Sequence, residues 1–315
     1  DWPQQPKAPP DAPNVVLILL DDLGFGAAGT FGGPAASPEI DKLAAQGIRY
    51  NAINTDAICA STRASLLSGR NQHQVGFGNL PDVAAGFPAY NGVWPRNTAT
   101  IAEMLKDNGY NTAAFGKWHN TPSWEISPAG PFNHWPTGLG FEYFYGFMNG
   151  ESSEWEPRLY RGTNPVEQPV PGVHLTSELT NDAIHWIRQH EAVAPDKPFF
   201  LYFATGATHA PHQVPKEWIT PYVRKFDKGG DRISDETFAR QKKMGVIPAN
   251  ADKTPRPAGL PAWDSLTPDQ KKVYARQMEV YAGFLSHTDH EVGRLIQELR
   301  DEGIDRNTLV IYVVG

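Results

Sequence analysis

Cysteine is nearly absent. Cys59 is the only one in 315 residues, so the chain cannot close an intramolecular disulfide and carries no redox framework. A single cysteine is either a small buried apolar residue or a reactive group, and its type alone leaves both readings open. Long hydrophobic runs are missing as well. The longest, Val15 to Leu20, falls far short of the roughly 20 residues a membrane-spanning helix requires, so no membrane partner is expected. Positive charge is in deficit, with 28 Lys and Arg against 35 Asp and Glu. A surface of that balance does not displace the counterions of nucleic acid or of an anionic membrane, so no nucleic-acid partner is expected and any anion site must be local. A leader with a charged start and an apolar centre is also lacking. The chain opens on Asp1 rather than Met, and the proline-rich tract Asp1 to Pro13 reads as an N-terminal extension to a domain over 14–315. An upstream segment is expected to have been removed or never to have been ordered, which leaves export undecided, the bacterial periplasm or secretion being expected ahead of the cytoplasm.

What is present is enough apolar residue, 40% of the chain, to bury a sizeable core in one large domain. Val15 to Leu20 is apolar without alternation, the pattern of a strand buried on both faces of a parallel sheet. Asn111 to Phe115, Pro198 to Thr205 and Thr308 to Val314 read as three more strands. Helical patterns lie between them. Ser37 and Pro38 open one that Gly47 stops, and Ala99 to Asn108 carries Ile101, Met104 and Leu105 on one face. Thr176 to His190 is a further helix, and Thr267 to Asp301 reads as two helices broken near Gly293. Strands alternating with helices predict an α/β fold, a mostly parallel central sheet sandwiched by helices. Trp118 to Pro171 and Tyr222 to Pro261, rich in Pro, Gly and polar residues, read as long surface loops.

Ligands of open α/β sheets bind beyond the carboxyl ends of the strands, so the residues after each strand come first. These are Asp21-Asp22, then Gly116-Lys117-Trp118-His119, then Thr208-His209-Ala210-Pro211-His212, with Gly315 after the fourth. Paired aspartates either cap a turn or offer hard oxygens to Ca²⁺ or Mg²⁺, and Lys117 and His119 are either solvated loop residues or site residues. Cys59 precedes an expected helix at Thr62 to Leu67, where backbone N–H groups and the helix dipole favour negative charge. Arg63, one turn on, is placed to hold an anion at Cys59. His287 and His290 are spaced like helix-borne metal ligands but have no third partner nearby, and they read as a solvated face. The aromatics Trp118, Trp124, Trp135, Phe141, Tyr143 and Trp155 either line an aryl-binding entrance or anchor loops.

Residues 59–70, CASTRASLLSGR, closely match C-x-P-x-R followed by Leu-x-x-Gly-Arg, with Ser61 in place of the proline. Together with NVVLILLDDLGFG, GKWH, THAPHQVP, DHEVGRLIQEL and NTLVIYVVG, in that order over most of the chain, they resemble the sulfatase family of the alkaline-phosphatase-like superfamily. The resemblance implies the sulfatase fold and hydrolysis of sulfate monoesters, aryl sulfates first. It implies conversion of Cys59 to formylglycine by a formylglycine-generating maturation enzyme, whose reading of the motif the Ser61 change affects. The hydrated aldehyde attacks sulfur through one hydroxyl and expels sulfate by collapse of the other. The resemblance further implies a divalent metal, Ca²⁺ before Mg²⁺ or Mn²⁺, on Asp21, Asp22 and the modified Cys59. Arg63 would steady the diol, Lys117 and His119 would handle sulfate, and His209 would assist the leaving oxygen, with His212 a substrate-side candidate. Because the family continues past Gly315 with an Asp-Asn pair that completes the metal site, the chain is expected to be a portion of a longer protein. The competing expectations are a phosphonate monoester or phosphodiester hydrolase of the same superfamily, and an inactive member that binds sulfated ligands.

Overall fold

The computed structural model describes residues 4–168 and 170–314; residues 1–3 of the proline-rich start and Gly315 lie outside them. The described strands are β1 (Asn14–Leu19), β2 (Asn111–Lys117), β3 (Tyr143–Phe147), β4 (Leu159–Arg161), β5 (Asn164–Val166), β6 (Phe199–Ala204) and β7 (Thr308–Val313). They form one sheet in the order β5-β4-β3-β2-β6-β1-β7. Pairing is parallel from β3 through β7 and antiparallel only at β3–β4 and β4–β5. The helices are α1 (Pro38–Gln46), α2 (Cys59–Ser68), α3 (Ile101–Asp107), α4 (Leu175–Val193), α5 (Lys216–Ile219), α6 (Gly230–Met244) and α7 (Pro268–Asp301). This is the α/β architecture that the run of alternating patterns predicts.

The chain divides into two compact units. The first holds residues 4–21, 54–206 and 295–313, and with them the whole sheet; the second holds 22–53, 207–294 and 314. In the first unit the pleat sorts alternate residues to opposite faces. Leu17, Leu19, Ala114, Phe200 and Tyr202 share a cluster with Ala60, Ala64 and Leu67 of α2 and Ala102 of α3. On the other face Phe115 and Phe199 meet Trp186 of α4 edge-on. Burial on both faces is why β1 and β6 read as unbroken apolar runs. Leu19, Gly116 and Ala204 stand in register, so β1, β2 and β6 end together and the residues that follow them emerge at one edge. Gly116 has a φ of 104°, and a Cβ there would lie 2.1 Å from the Ala204 carbonyl oxygen. Only glycine fits where β2 approaches β6 in this conformation.

Four expectations need correction. Trp118 to Pro171 is not loop throughout, because β3, β4 and β5 lie inside it. Two of these are three-residue strands at the antiparallel edge, too short to show a period, and Gly146 interrupts the third. Tyr222 to Pro261 contains α6, whose buried positions are Thr237 and Gln241, so no apolar stripe announces it. The helix α7 runs unbroken through Gly293. That glycine serves a close approach instead: a Cβ on it would stand 2.4 Å from Cγ of Glu39. His290 is exposed as expected, whereas His287 is buried, with Trp218 edge-on to its ring and Glu291 at 3.7 Å. Burial holds its imidazole down to about 4, so it stays neutral.

The expected N-cap of α1 also works differently. Ser37 occupies the cap position without a capping bond, and the Asp289 carboxylate accepts the Glu39 and Ile40 N–H groups at 2.9 Å each. No helix among the described residues is long and apolar enough to cross a membrane.

Candidate active site

The first unit gathers Asp21, Cys59, Arg63, Lys117 and His119. Cys59 is the first residue of α2, three positions earlier than the expected helix start, after an extended Ile58 that offers no side-chain cap. Its side chain therefore sits at the helix's positive end. Ser61 occupies the motif's proline position and donates its hydroxyl to the Phe77 carbonyl at 2.5 Å. The substitution thus adds a bond that a proline could not make.

Arg63, fully buried, reaches back under the strand ends. One terminal nitrogen donates to the Lys117 carbonyl at 2.6 Å, and the other donates to Asp21 Oδ1 at 3.3 Å. The Lys117 ammonium, also buried, donates to Asp21 Oδ2. Two buried cations thus face one buried carboxylate, an excess of one positive charge within this trio. Desolvated charge of one sign that is not fully balanced is costly, and it is kept where an anion is to be held. Arg63 Nε is buried without a hydrogen-bond partner among the described residues, a spare donor in the same place.

Cys59 Sγ lies 3.2 Å from Nδ1 of His119, whose Nε2 lies 2.7 Å from Oδ2 of Asp82. Burial alone would raise the Cys59 thiol, but the His119 hydrogen bond and the Lys117 charge carry it below the ordinary thiol value. Burial likewise opposes charge on His119, and the hydrogen bonds to Asp82 and Cys59 overcome it, so the imidazole is raised. His119 holds a left-handed φ of 58°, sparsely populated outside glycine. Its N–H donates to the Met148 carbonyl at 3.1 Å. Asn120, fully buried, ties this strand end to α2 by donating to the Ala60 carbonyl at 2.9 Å.

Asp22 and His209 belong to the second unit and meet each other there, Asp22 Oδ2 to His209 Nε2 at 3.7 Å. Asp22 is also left-handed, with φ 52°, and its carbonyl accepts from Tyr281 at 3.1 Å. His212 is exposed and packs edge-on against Tyr281. Of the aromatics proposed for an entrance, Trp118, Trp135 and Phe141 are buried in the sheet's core cluster, so packing accounts for these three. Trp124 is 63% exposed.

Asp82 and Asn120 escape the sequence reading. Asp82 sits in a Pro81–Val83 turn, where a Pro-Asp pair is ordinary turn chemistry. Asn120 directly follows the GKWH motif, and that adjacency was the available signal.

Hard carboxylate oxygens from Asp21 and Asp22 suit Ca²⁺ or Mg²⁺ in kind. They do not complete a cage: among the described residues no group of three or more His, Cys, Asp or Glu could hold a metal ion, and both oxygens of Asp21 already accept from cations.

The sequence profile of the Sulfatase family matches residues 13–314. An arylsulfatase of Klebsiella aerogenes is 30% identical over 96% of this chain and 66% of its own length. A sulfatase of Schizosaccharomyces pombe whose activity is uncharacterised is 32% identical over 96% and 57%. The chain thus spans between half and two thirds of these relatives. Among solved structures, a Pseudoalteromonas sulfatase aligns with a TM-score of 0.60 at 20% identity, covering 96% of this chain and 54% of that one. A phosphonate monoester hydrolase of Agrobacterium radiobacter aligns with a TM-score of 0.53 at 19% identity, covering 95% and 62%. At those identities the two structures speak for the fold alone.

Proposed function

The chain belongs to the sulfatase family, and from that premise we propose that it hydrolyses sulfate monoesters with residue 59 as the nucleophile. The observation that carries the reading is the pair of buried cations, Arg63 and Lys117, set against the single carboxylate of Asp21 beside the helix start that bears Cys59. The anionic sulfate ester arriving there meets positive charge in excess of the one carboxylate, preorganised and shielded from water, which is the arrangement that stabilises charge in a transferring sulfuryl group.

In the active form residue 59 is formylglycine, and the Cys59 Sγ of the unmodified chain stands in for the hydroxyl oxygen of its hydrated aldehyde. When present, that modification supplies a nucleophile that is regenerated without hydrolysis of an enzyme ester. His119 Nδ1, 3.2 Å from that position, takes and returns a proton there. Arg63 anchors the end of β2 through the Lys117 carbonyl and so fixes the ammonium that faces the bound anion. By the family resemblance alone, His209, whose Nε2 lies 3.7 Å from Asp22 Oδ2, is assigned as the proton donor for the leaving oxygen. A divalent cation, Ca²⁺ by the family resemblance, belongs to the same proposal; Asp21, Asp22 and residue 59 would be among its ligands and it would supply Lewis-acid activation, and none of the roles above depends on it.

The test is sulfate release from an aryl sulfate by the wild type and by Cys59→Ala, with an aryl phosphate diester assayed in parallel. The reading expects turnover of the sulfate ester and its loss in Cys59→Ala with the fold intact by circular dichroism. Full activity of Cys59→Ala would sink the nucleophile assignment. Faster turnover of the diester would move the chain to the phosphodiester branch.

A further inference from the structure

We propose that Asp82 is the positioning residue that holds His119 in one orientation and one tautomer at residue 59. The proposal rests on the reading of His119 as the group that moves a proton at that residue.

The imidazole is gripped from three directions. Nε2 is 2.7 Å from Asp82 Oδ2, and a carboxylate can only accept, so Nε2 carries the hydrogen. In the neutral ring that leaves Nδ1 as the bare nitrogen, and Nδ1 is the atom 3.2 Å from Cys59 Sγ. Gly150 lies against the ring: a Cβ there would stand 2.7 Å from Cε1 and 2.9 Å from Nε2 of His119, so there is little room for the imidazole to swing. The third hold is on the backbone, where the His119 N–H donates to the Met148 carbonyl at 3.1 Å from a left-handed conformation of φ 58°.

Asp82 itself is half exposed, whereas His119 is buried. A hydrogen bond with one end in solvent adds little to folding stability. Its effect therefore falls on proton placement rather than on the fold, and the hydrogen bond from His119, against a smaller opposing effect of burial, holds the Asp82 carboxyl below its ordinary value. Replacing the carboxylate by a carboxamide keeps the shape but removes the charge and allows an N–H to face Nε2, which favours the opposite tautomer and puts a hydrogen on Nδ1.

Asp82 also borders a cavity of about 480 Å³ lined in part by Ser123, Met148, Glu151 and Arg158. A role in gripping the substrate would therefore appear in KM, whereas a positioning role appears in kcat. The experiment measures kcat and KM for an aryl sulfate with the full-length wild type, Asp82→Asn and Asp82→Glu, after peptide mass analysis shows equal conversion of residue 59. The expected result for Asp82→Asn is a fall in kcat of roughly 10- to 100-fold, the range for removing the partner that orients a working histidine, with KM within about twofold. Asp82→Glu, which can still accept from Nε2 at the half-exposed site, should recover most of that loss. A second readout does not need turnover: the downfield Nε2–H proton of His119 in the NMR spectrum should be present in the wild type and lost in Asp82→Asn.

An Asp82→Asn enzyme with wild-type kcat, a change confined to KM, or an unaltered His119 Nε2–H signal would each overturn the assignment. A wild type that releases no sulfate from any ester, yet shows the Nε2–H signal and its loss on substitution, would instead count against the sulfatase activity and leave the Asp82–His119 pairing standing.

Discussion

Removing the charge of Asp21 should destabilise the first unit more than removing the charge of Lys117, although both belong to the same ion cluster. Asp21 is 4% exposed and is the single carboxylate shared by two buried cations. At the 3.3 Å separation from Arg63 and an effective dielectric of about 20, that one contact is worth about 5 kcal/mol before desolvation is counted. Asp21→Asn preserves shape and leaves both cations buried and unpaired, and breaking a buried pair in this way costs about 3–5 kcal/mol. Lys117→Met removes one cation and fills its volume with an apolar chain, leaving Arg63 and Asp21 as a balanced pair, so its cost should stay near 1–2 kcal/mol. The assay is urea unfolding of wild type and both variants in chelator and without sulfate, so that neither a metal nor a bound anion compensates. A stability of Asp21→Asn equal to or above that of Lys117→Met would refute the picture of an excess positive centre.

Three further outcomes follow from the geometry. In protein made without the maturation enzyme, the Cys59 thiol should be alkylated by iodoacetamide at neutral pH faster than a free thiol, and His119→Ala should slow it, because the His119 bond and the Lys117 charge favour the thiolate. His287 is neutral in the fold down to about 4 but takes a proton below about 6.5 when unfolded, so its contribution is intact above the unfolded value and is lost as pH falls through that window. The full loss is about 3 kcal/mol. Asp289, raised to about 6 chiefly by burial, acts the other way, since its burial penalty is relieved as pH falls from about 6 toward its unfolded value. Urea midpoints compared at pH 7 and pH 5 should therefore rise on acidification for His287→Phe relative to the wild type. Gly116→Ala, whose Cβ would meet the Ala204 carbonyl at 2.1 Å, should yield little folded protein, while Gly69→Ala, left-handed at φ 65° but with open space around it, should cost about 1 kcal/mol. Expression yield and thermal melting separate the two.

How much of this was legible in the sequence depended on the kind of signal. The strands β1, β6 and β7 and the helices α1, α3 and α4 declare themselves by continuous or periodic burial, and the residues after β1, β2 and β6 supply the candidate side chains. The hairpin of β4 and β5 did not, since three-residue strands are too short to carry a period. The exposed helix α6 has a mostly polar surface and no stripe to read. His287 looked solvated because its helix is polar in sequence, yet Trp218 covers it. Asp82 was invisible for a different reason: it lies 37 residues from His119, and nothing local marks a turn aspartate as the partner of a distant imidazole. Pairings made across a fold leave no local pattern, which is why Asp21, Cys59, Arg63, Lys117 and His119 can be named as candidates from sequence while Asp82, Asn120 and the hydrogen bonds ordering them cannot.

The proposed chemistry depends on what residue 59 becomes, and peptide mass analysis of the purified active protein reads that directly. The peptide containing Cys59 is predicted to be lighter than its encoded mass by about 18 Da, the change from thiol to aldehyde, in proportion to the specific activity of each preparation. An unmodified thiol throughout a preparation that still releases sulfate at full rate would contradict it.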